Sequence, residues 1–285
     1  MSHYSRHVVL GNSLGFLGSY LDNIVVGRAL GTAALGVYGA AFRWGRLPAF
    51  ALSMVVSPVA FPSYVTVRDD AARFRRAYVR LLRTITTLAF PAEVGLILVA
   101  GRLVETLYPP AWFGMVVPLQ IFAVFGLVNA VVGTTGDVFK AANRPGWIAA
   151  IGFVHLPALA LFLYLWVGTG PTGAALALTL AAVVSGSVAV PLALRVLELP
   201  AFTFLTALAP QALATGVMTL AVVLTSHVLP PPPNVLALAG VCVVGVLTYG
   251  STLILVDAAW LGELKETLTQ TMTRKTDGPG VPKAA

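Results

Sequence analysis

Charged and amide side chains interrupt two apolar stretches near the N-terminus. Asp22 and Asn23 are adjacent, and Arg43 and Arg46 stand three residues apart, on one face of a helix. A guanidinium in apolar surroundings can hold an anionic group through two parallel hydrogen bonds. The sequence therefore predicts a substrate-binding site formed by Arg43 and Arg46 with Asp22 and Asn23. The pattern leaves one alternative open, a neutral Asp22–Arg43 ion pair with Arg46 bound to backbone carbonyls.

A carboxyl group and a proline form a second candidate site. Glu93 follows Pro91 by two residues inside another long apolar stretch. A proline within a helix frees a carbonyl and kinks the helix, and an ionisable residue at membrane depth marks function by default. We predict an ion-coupling or gating role for Glu93 and Pro91. The alternative is that Glu93 bonds to a neighbouring helix.

Three further polar features are predicted to be structural. Arg102 and Glu105 are three residues apart, as are Asp137 and Lys140, and this spacing predicts ion pairs near the ends of two helices. His155 lies within an apolar stretch and is interpreted as a hydrogen-bonded core histidine rather than a metal ligand.

The sequence contains none of the common catalytic motifs. It has no paired-aspartate transferase motif, HExxH, GxSxG, P-loop or cysteine and histidine spacing for a metal, and Cys242 is its one cysteine. We therefore predict that the protein is not an enzyme and has no metal or cofactor.

The composition determines the class of fold. Hydrophobic residues make up 58% of the 285 residues and charged residues 10%, against about 25% charged in a soluble domain. With a mean hydropathy of +0.87, this excludes a soluble or disordered chain. Because a helix needs about 20 apolar residues to cross a bilayer, the sequence predicts an all-α polytopic bundle. The eight predicted spans are 8–29, 35–58, 84–106, 116–138, 147–167, 173–194, 207–229 and 235–256.

Basic residues lie in alternate connections between these spans. This asymmetry predicts that both termini are cytoplasmic. Residues 69–83 are predicted to form an amphipathic helix on the cytoplasmic leaflet, where its arginines meet anionic lipids. These arginines are Arg73, Arg76, Arg80 and Arg83. The alternative is that they only retain the loop on the cytoplasmic side.

Five motifs, in order, resemble the C-terminal lobe of the oligosaccharide flippases of the multidrug/oligosaccharidyl-lipid/polysaccharide exporter superfamily. They are LDNIVVGRALGTAALGVYGAAFRWGRLP (21–48), FPSYVTVRDDAARFRRAYVRLLR (61–83), LYPPAWFGMVVPLQIFAV (107–124), FKAANRPGW (139–147) and GPTGAALALTLAAVV (170–184). The family's usual glycine is missing before Trp112, and Asn143 stands where the family often has glycine.

The resemblance implies a multi-pass protein of the bacterial inner membrane that moves undecaprenyl-diphosphate-linked oligosaccharide by alternating access. In that interpretation Arg43 meets the diphosphate, and the lobe needs a partner, either an N-terminal lobe or a second copy of the chain. The expected organisation is a six-helix lobe (1–196), an additional helix pair (197–256) and a cytoplasmic tail, disordered at its end (257–285).

Two other functions remain open from the sequence. A drug or metabolite antiporter of the same superfamily would share the fold. A membrane-bound polyprenyl-phosphate transferase would need a catalytic acid near the cytoplasmic surface, for which Asp137 is the one weak candidate.

Overall fold

The computed structural model describes the backbone of residues 2–276. It describes side chains over 20–258, except 53 and 55–63, and those of Trp260 and Gly262 beyond them. The described backbone is helical with short connections, so the predicted all-α bundle is confirmed. The last residues of the predicted tail, 277–285, lie outside the described part.

The first helical segment, α1 (Ser2–Gly45), consists of two antiparallel arms. Gly31 has φ 85° and ψ 177°, outside helical geometry, and glycine adopts such a conformation without steric cost. The Tyr38 hydroxyl donates to Asp22 Oδ2 over 2.6 Å, although 16 residues of straight helix would separate them by about 24 Å. The chain therefore turns back at Gly31, between the first two predicted spans.

A break at Arg46 separates the second arm of α1 from α2 (Leu47–Val67), which has Pro48 in its first turn. The predicted span 35–58 is thus made of two helical pieces. Helix α3 (Ala71–Leu107) begins at Asp70, whose side chain accepts hydrogen bonds from the backbone N–H groups of Ala72 and Arg73. These bonds hold the pKa of Asp70 below its ordinary value, and the bond from the Arg73 N–H contributes most.

Three helices complete the lobe: α4 (Val116–Ala141), α5 (Gly146–Trp166) and α6 (Pro171–Val196). Helix α6 packs against α1, α4 and α5. Its buried positions are mostly small, with Ala174, Ala177, Ala181 and Ala189 fully buried. Small residues let helix backbones approach closely, which is how helices associate in a membrane without a hydrophobic driving force between them.

The last two helices, α7 (Ala201–Val228) and α8 (Val235–Thr276), pack against each other and against α3. Val99 of α3 joins Met218, Val222 and Val241 in their shared apolar cluster. Helix α8 is irregular at Asp257 (φ −148°, ψ 49°) and continues to Thr276, so the predicted tail begins inside a helix.

Seven helical ranges of the described residues are long and apolar enough to cross a membrane. One of them, Tyr20–Gly45, contains the turn at Gly31. The arginine-bearing connections around 68–71, 141–144 and 196–198 surround one cavity of about 390 Å³. They therefore lie at the same end of the bundle, here called the arginine-rich end, as the alternation of charge predicts.

Candidate functional site

Arg43 and Arg46 stand at the break between α1 and α2. The Arg43 side chain is exposed, and no salt bridge among the described residues involves either arginine. The Arg46 guanidinium lies over two phenyl rings, 4.3 Å from the centroid of Phe50 and 5.0 Å from that of Phe42. Cation–π contacts of this kind hold a guanidinium in place without neutralising it. The break therefore presents two positive charges that the described part of the lobe leaves uncompensated.

Asp22 does not form the ion pair with Arg43 that the sequence left open. Its side chain is 1% exposed and lies between the two arms of α1. The carboxylate accepts from the Tyr38 hydroxyl and, at 3.2 Å, from the Asn23 amide. Asp22 thus joins the two arms, and the Asp22–Arg43 pairing is wrong because the turn at Gly31 brings Tyr38 to this carboxylate. A contact of Asp22 or Asn23 with substrate stays a prediction.

Glu93 is fully buried on α3 and binds the start of α2. Its Oε1 accepts the backbone N–H of Ala49 over 3.0 Å. The other carboxyl oxygen, Oε2, is buried and has no hydrogen-bond partner in the described structure. Gly126 of α4 makes room for this group, because a Cβ at that position would lie 2.7 Å from Oε2 and closer still to Oε1. The bond to a neighbouring helix is present, and an ion-coupling role remains a prediction.

Pro91 lies inside α3, near the place where the last two helices pack against it. Because proline has no N–H, the carbonyl of Thr87 four residues earlier loses its helical donor. The Tyr249 hydroxyl of α8 supplies that donor at 2.7 Å. The Thr87 hydroxyl also accepts from Trp260 Nε1 at 3.2 Å and contacts Gln211 of α7. The Gln211 amide is satisfied when its nitrogen donates to Ala207 O at 2.9 Å and its oxygen faces the Thr87 hydroxyl.

Two arginines of α3 bind the last two helices at opposite ends of the contact between them and α3. Arg83 forms a salt bridge with Asp257, and its guanidinium lies 4.4 Å from the centroid of the Trp260 ring. At the opposite end Arg102 donates to Ser226 O at 2.7 Å and to Pro230 O at 2.6 Å. The predicted Arg102–Glu105 pair is therefore wrong, because Arg102 instead binds the Ser226 carbonyl in the last turn of α7, which has no helical donor, and the Pro230 carbonyl just beyond the helix.

Two other structural predictions are confirmed, the Asp137–Lys140 pair and the hydrogen-bonded His155. Lys140 Nζ lies 3.3 Å from Asp137 Oδ1. His155 Nδ1 lies 3.2 Å from the Ser185 hydroxyl inside the lobe. No group of three histidine, cysteine or acidic side chains that could hold a metal ion occurs within the described residues.

The arginines of the amphipathic segment divide into two groups. Arg73, Arg76 and Arg80 have exposed side chains on the first half of α3, whereas Phe74 and Tyr78 on its other face are buried. Arg83, expected on the lipid-facing side, is turned towards α8 by its pair with Asp257. The predicted amphipathic helix is thus the first part of α3 itself, rather than a separate helix.

Sequence reasoning missed Tyr38, Gly126 and Tyr249. A tyrosine or glycine in an apolar run carries no signal of its partner. One signal was available for the last contact, because Pro91 frees a carbonyl that must find a donor elsewhere in a membrane. That donor came from a residue more than 150 positions away, which spacing alone does not reveal.

Comparison with known proteins agrees with the motifs. Residues 1–117 match the family described as "Polysaccharide biosynthesis protein". The chain is 28% identical over 131 residues to the lipopolysaccharide biosynthesis protein WzxC of Escherichia coli, covering 46% of this chain and 27% of WzxC. It is 26% identical over 279 residues to the probable flippase AglR of Haloferax volcanii, covering 94% of this chain and 57% of AglR. These matches confirm the resemblance to the polysaccharide flippase superfamily.

The fold also resembles that of a solved structure. The structure resembles the lipid II flippase MurJ in its inward closed conformation, with a TM-score of 0.72 and 16% identity. The similarity covers 87% of this chain and 52% of MurJ. The chain thus spans about half or less of the lengths of WzxC and MurJ, and just over half of AglR. The chain is a multi-pass membrane protein that resembles the polysaccharide flippases.

Proposed function

We propose that the chain forms one lobe of a flippase that moves a polyprenyl-diphosphate-linked oligosaccharide across the inner membrane by alternating access. The observation that carries the proposal is the break at Arg46, which presents the exposed Arg43 and the ring-held Arg46 without a described anionic partner. The names of WzxC, AglR and MurJ support a lipid-linked substrate. In this proposal the two guanidiniums bind the diphosphate, and no bond is made or broken.

Arg43 is the residue to test, because a guanidinium offers a fork that an ammonium cannot reproduce. The chain in lipid nanodiscs is titrated with undecaprenyl diphosphate and, separately, undecaprenyl monophosphate. Arg43→Lys should weaken diphosphate binding about tenfold, since a hydrogen bond to a charged group contributes about 1.5–3 kcal/mol. Arg28→Lys is the matched control, because Arg28 is also an exposed arginine of α1. Unchanged diphosphate affinity in Arg43→Lys would refute the assignment.

We further propose that a second set of helices covers the Arg43 face. A charged side chain exposed to hydrocarbon costs several kcal/mol, so the exposed arginine favours association with an N-terminal lobe or a second copy of the chain. Crosslinking from Arg43→Cys in a Cys242→Ser background in native membranes would identify the partner. The absence of any crosslinked species at this position, with efficient crosslinking elsewhere, would contradict this proposal.

Anionic lipids are the proposed partners of the exposed arginines of α3. These side chains form a charged strip on the turns that follow Asp70, at the arginine-rich end, where we place the cytoplasmic leaflet and both termini. Changing Arg73, Arg76 and Arg80 to Gln should reduce co-purification of phosphatidylglycerol measured by lipid mass spectrometry. Equal phosphatidylglycerol in the parent and the triple variant would show that these arginines only set topology.

A further inference from the structure

We propose that the cavity at the arginine-rich end binds the headgroup of a zwitterionic phospholipid with a phosphate and a primary ammonium, as in phosphatidylethanolamine. The connections that follow α2, α4 and α6 meet around this cavity of about 390 Å³. Sites for small ligands have volumes of about 300–1,000 Å³, so the cavity is large enough for a headgroup. It is separate from the Arg43 face and from the charged strip on α3, since none of those arginines lines it.

The charged side chains around the cavity are of both signs and balance each other. Arg68 and Arg144 contribute guanidiniums, and Asp69 and Glu198 contribute carboxylates. A site for a simple anion would carry an excess of positive charge, because each carboxylate repels the anion. A ligand with one phosphate and one ammonium has a partner for both signs. The balance of charge therefore favours a zwitterion.

Arg144 is the proposed partner of the phosphate. Its side chain is exposed, and none of the salt bridges among the described residues includes it. Arg68, in contrast, has its Nε 3.7 Å from Asp69 Oδ1. Asn143, next to Arg144 in the lining, adds an amide whose N–H groups can donate to a phosphate oxygen. Arg144 and Asn143 thus form the anion-binding side of the cavity.

Glu198 is the proposed partner of the ammonium. Its Oε2 lies 3.9 Å from Arg75 Nη1, which is beyond the length of a hydrogen bond. Arg75 donates instead to the backbone carbonyl of Glu198 at 3.1 Å, so it holds the backbone and leaves the exposed carboxylate able to accept. A primary ammonium has three N–H donors for such an acceptor, whereas the quaternary ammonium of choline has none.

The backbone places the amide and the carboxylate at the cavity in the same way. Asn143 follows the end of α4 with φ 57°, and Glu198 follows the end of α6 with φ 51°. Helices commonly end with a glycine in this left-handed conformation, and sometimes with an asparagine. Two positions that favour glycine therefore carry polar side chains into the lining.

The rest of the lining is apolar, which favours a lipid over a soluble phosphate ester. It consists of Ala71, Phe74, Ala141, Ala142, Val196 and Leu197. Phe202, four residues beyond Glu198 on α7, is 76% exposed, and Trp147 in the first turn of α5 is also exposed. Tryptophan is enriched where lipid headgroups meet the acyl chains, so these side chains place the cavity at headgroup level. A soluble ester would leave the apolar wall without a partner.

Native mass spectrometry of the full chain in detergent measures the preference, by titration with phosphatidylethanolamine, phosphatidylcholine and phosphatidylglycerol of matched acyl chains. The parent should bind phosphatidylethanolamine at least about threefold more tightly than phosphatidylcholine, and Arg144→Gln should weaken phosphatidylethanolamine binding about three- to tenfold. Arg195→Gln is the matched control, because Arg195 is an exposed arginine at the same end that does not line the cavity. Equal affinities of the parent for the two zwitterionic lipids, or equal losses in the two variants, would overturn the proposal.

A charge reversal tests the ammonium side of the cavity. Glu198→Lys replaces the acceptor by a cation and leaves the backbone carbonyl to which Arg75 donates. It should abolish the preference for phosphatidylethanolamine over phosphatidylcholine and raise phosphatidylglycerol binding several-fold, a gain that a purely structural role of Glu198 would not produce. Glu105→Lys, at an exposed glutamate of the opposite end, should keep the parent's preference. A Glu198→Lys variant that also keeps it would contradict the assignment.

Glycerophosphoethanolamine, which has the headgroup without acyl chains, separates the lipid from a soluble source of the same chemistry. It should displace phosphatidylethanolamine only at a far higher concentration, because it makes no use of the apolar wall. Equal affinity of the two compounds would overturn the assignment to a lipid. Since no lipid-linked oligosaccharide or undecaprenyl diphosphate is present, these failures are independent of the diphosphate-binding test on Arg43.

Discussion

The hydroxyl of Tyr249 should be worth more than an average hydrogen bond between membrane helices. Such bonds contribute about 0.6 kcal/mol on average and about 1.7 kcal/mol at most. Tyr249 is 8% exposed and donates over 2.7 Å to the Thr87 carbonyl, which Pro91 has deprived of its helical donor. Tyr249→Phe leaves that acceptor unsatisfied, so we expect a loss of about 1.5 kcal/mol. A loss of that size lowers the equilibrium constant for folding about tenfold.

A double-mutant cycle in mixed micelles tests the bond between Tyr249 and the Thr87 carbonyl, with the free energy of unfolding as the readout. Pro91→Ala restores a backbone N–H that can bond to Thr87 O, so Tyr249→Phe should cost less than about 0.5 kcal/mol in that background. Tyr164→Phe, at a tyrosine 83% exposed on α5, is the control and should change nothing. Equal costs of Tyr249→Phe in both backgrounds would refute the role of the freed carbonyl.

Three further changes test the packing and the helix ends. Gly45→Ala brings a methyl group within 2.8 Å of the Phe122 backbone, and should lower the free energy of unfolding by about 1–3 kcal/mol. Arg102→Met removes the two bonds to the end of α7 and should lower the melting temperature, whereas Glu105→Gln should not; equal melting temperatures would contradict the clamp. Acidification should fray the start of α3 as Asp70 is protonated, because its pKa is lowered in the folded state. Its stabilisation is therefore present at neutral pH and lost as the pH falls through the folded value. Hydrogen exchange of the first turn of α3 would show this, and Asp70→Asn should weaken the dependence.

The transmembrane class and the candidate charges were predictable from the sequence alone. A bilayer demands about 20 apolar residues for each helix, so composition and run length were sufficient to predict the bundle. The spacing of Arg43 and Arg46 predicted that they share a face, and both stand at the break. The arginine-bearing connections were also expected at one end, because two crossings separate each from the next and an even number of crossings returns the chain to the same side.

The tertiary structure decided which side chains meet across helices. Asp22 meets Tyr38 rather than Arg43 because Gly31 turns α1 back on itself. Glu93 caps α2 because Gly126 leaves space for a carboxyl at that crossing.

The physical reason lies in the solvent. In water, the apolar face of a helix shows which side is buried, whereas in lipid every face is apolar and hydropathy says little about orientation. Backbone groups freed by prolines must still find partners, so Pro91 indicated that a polar contact was needed. Only the packing of the helices determined that Tyr249 would satisfy the carbonyl freed by Pro91.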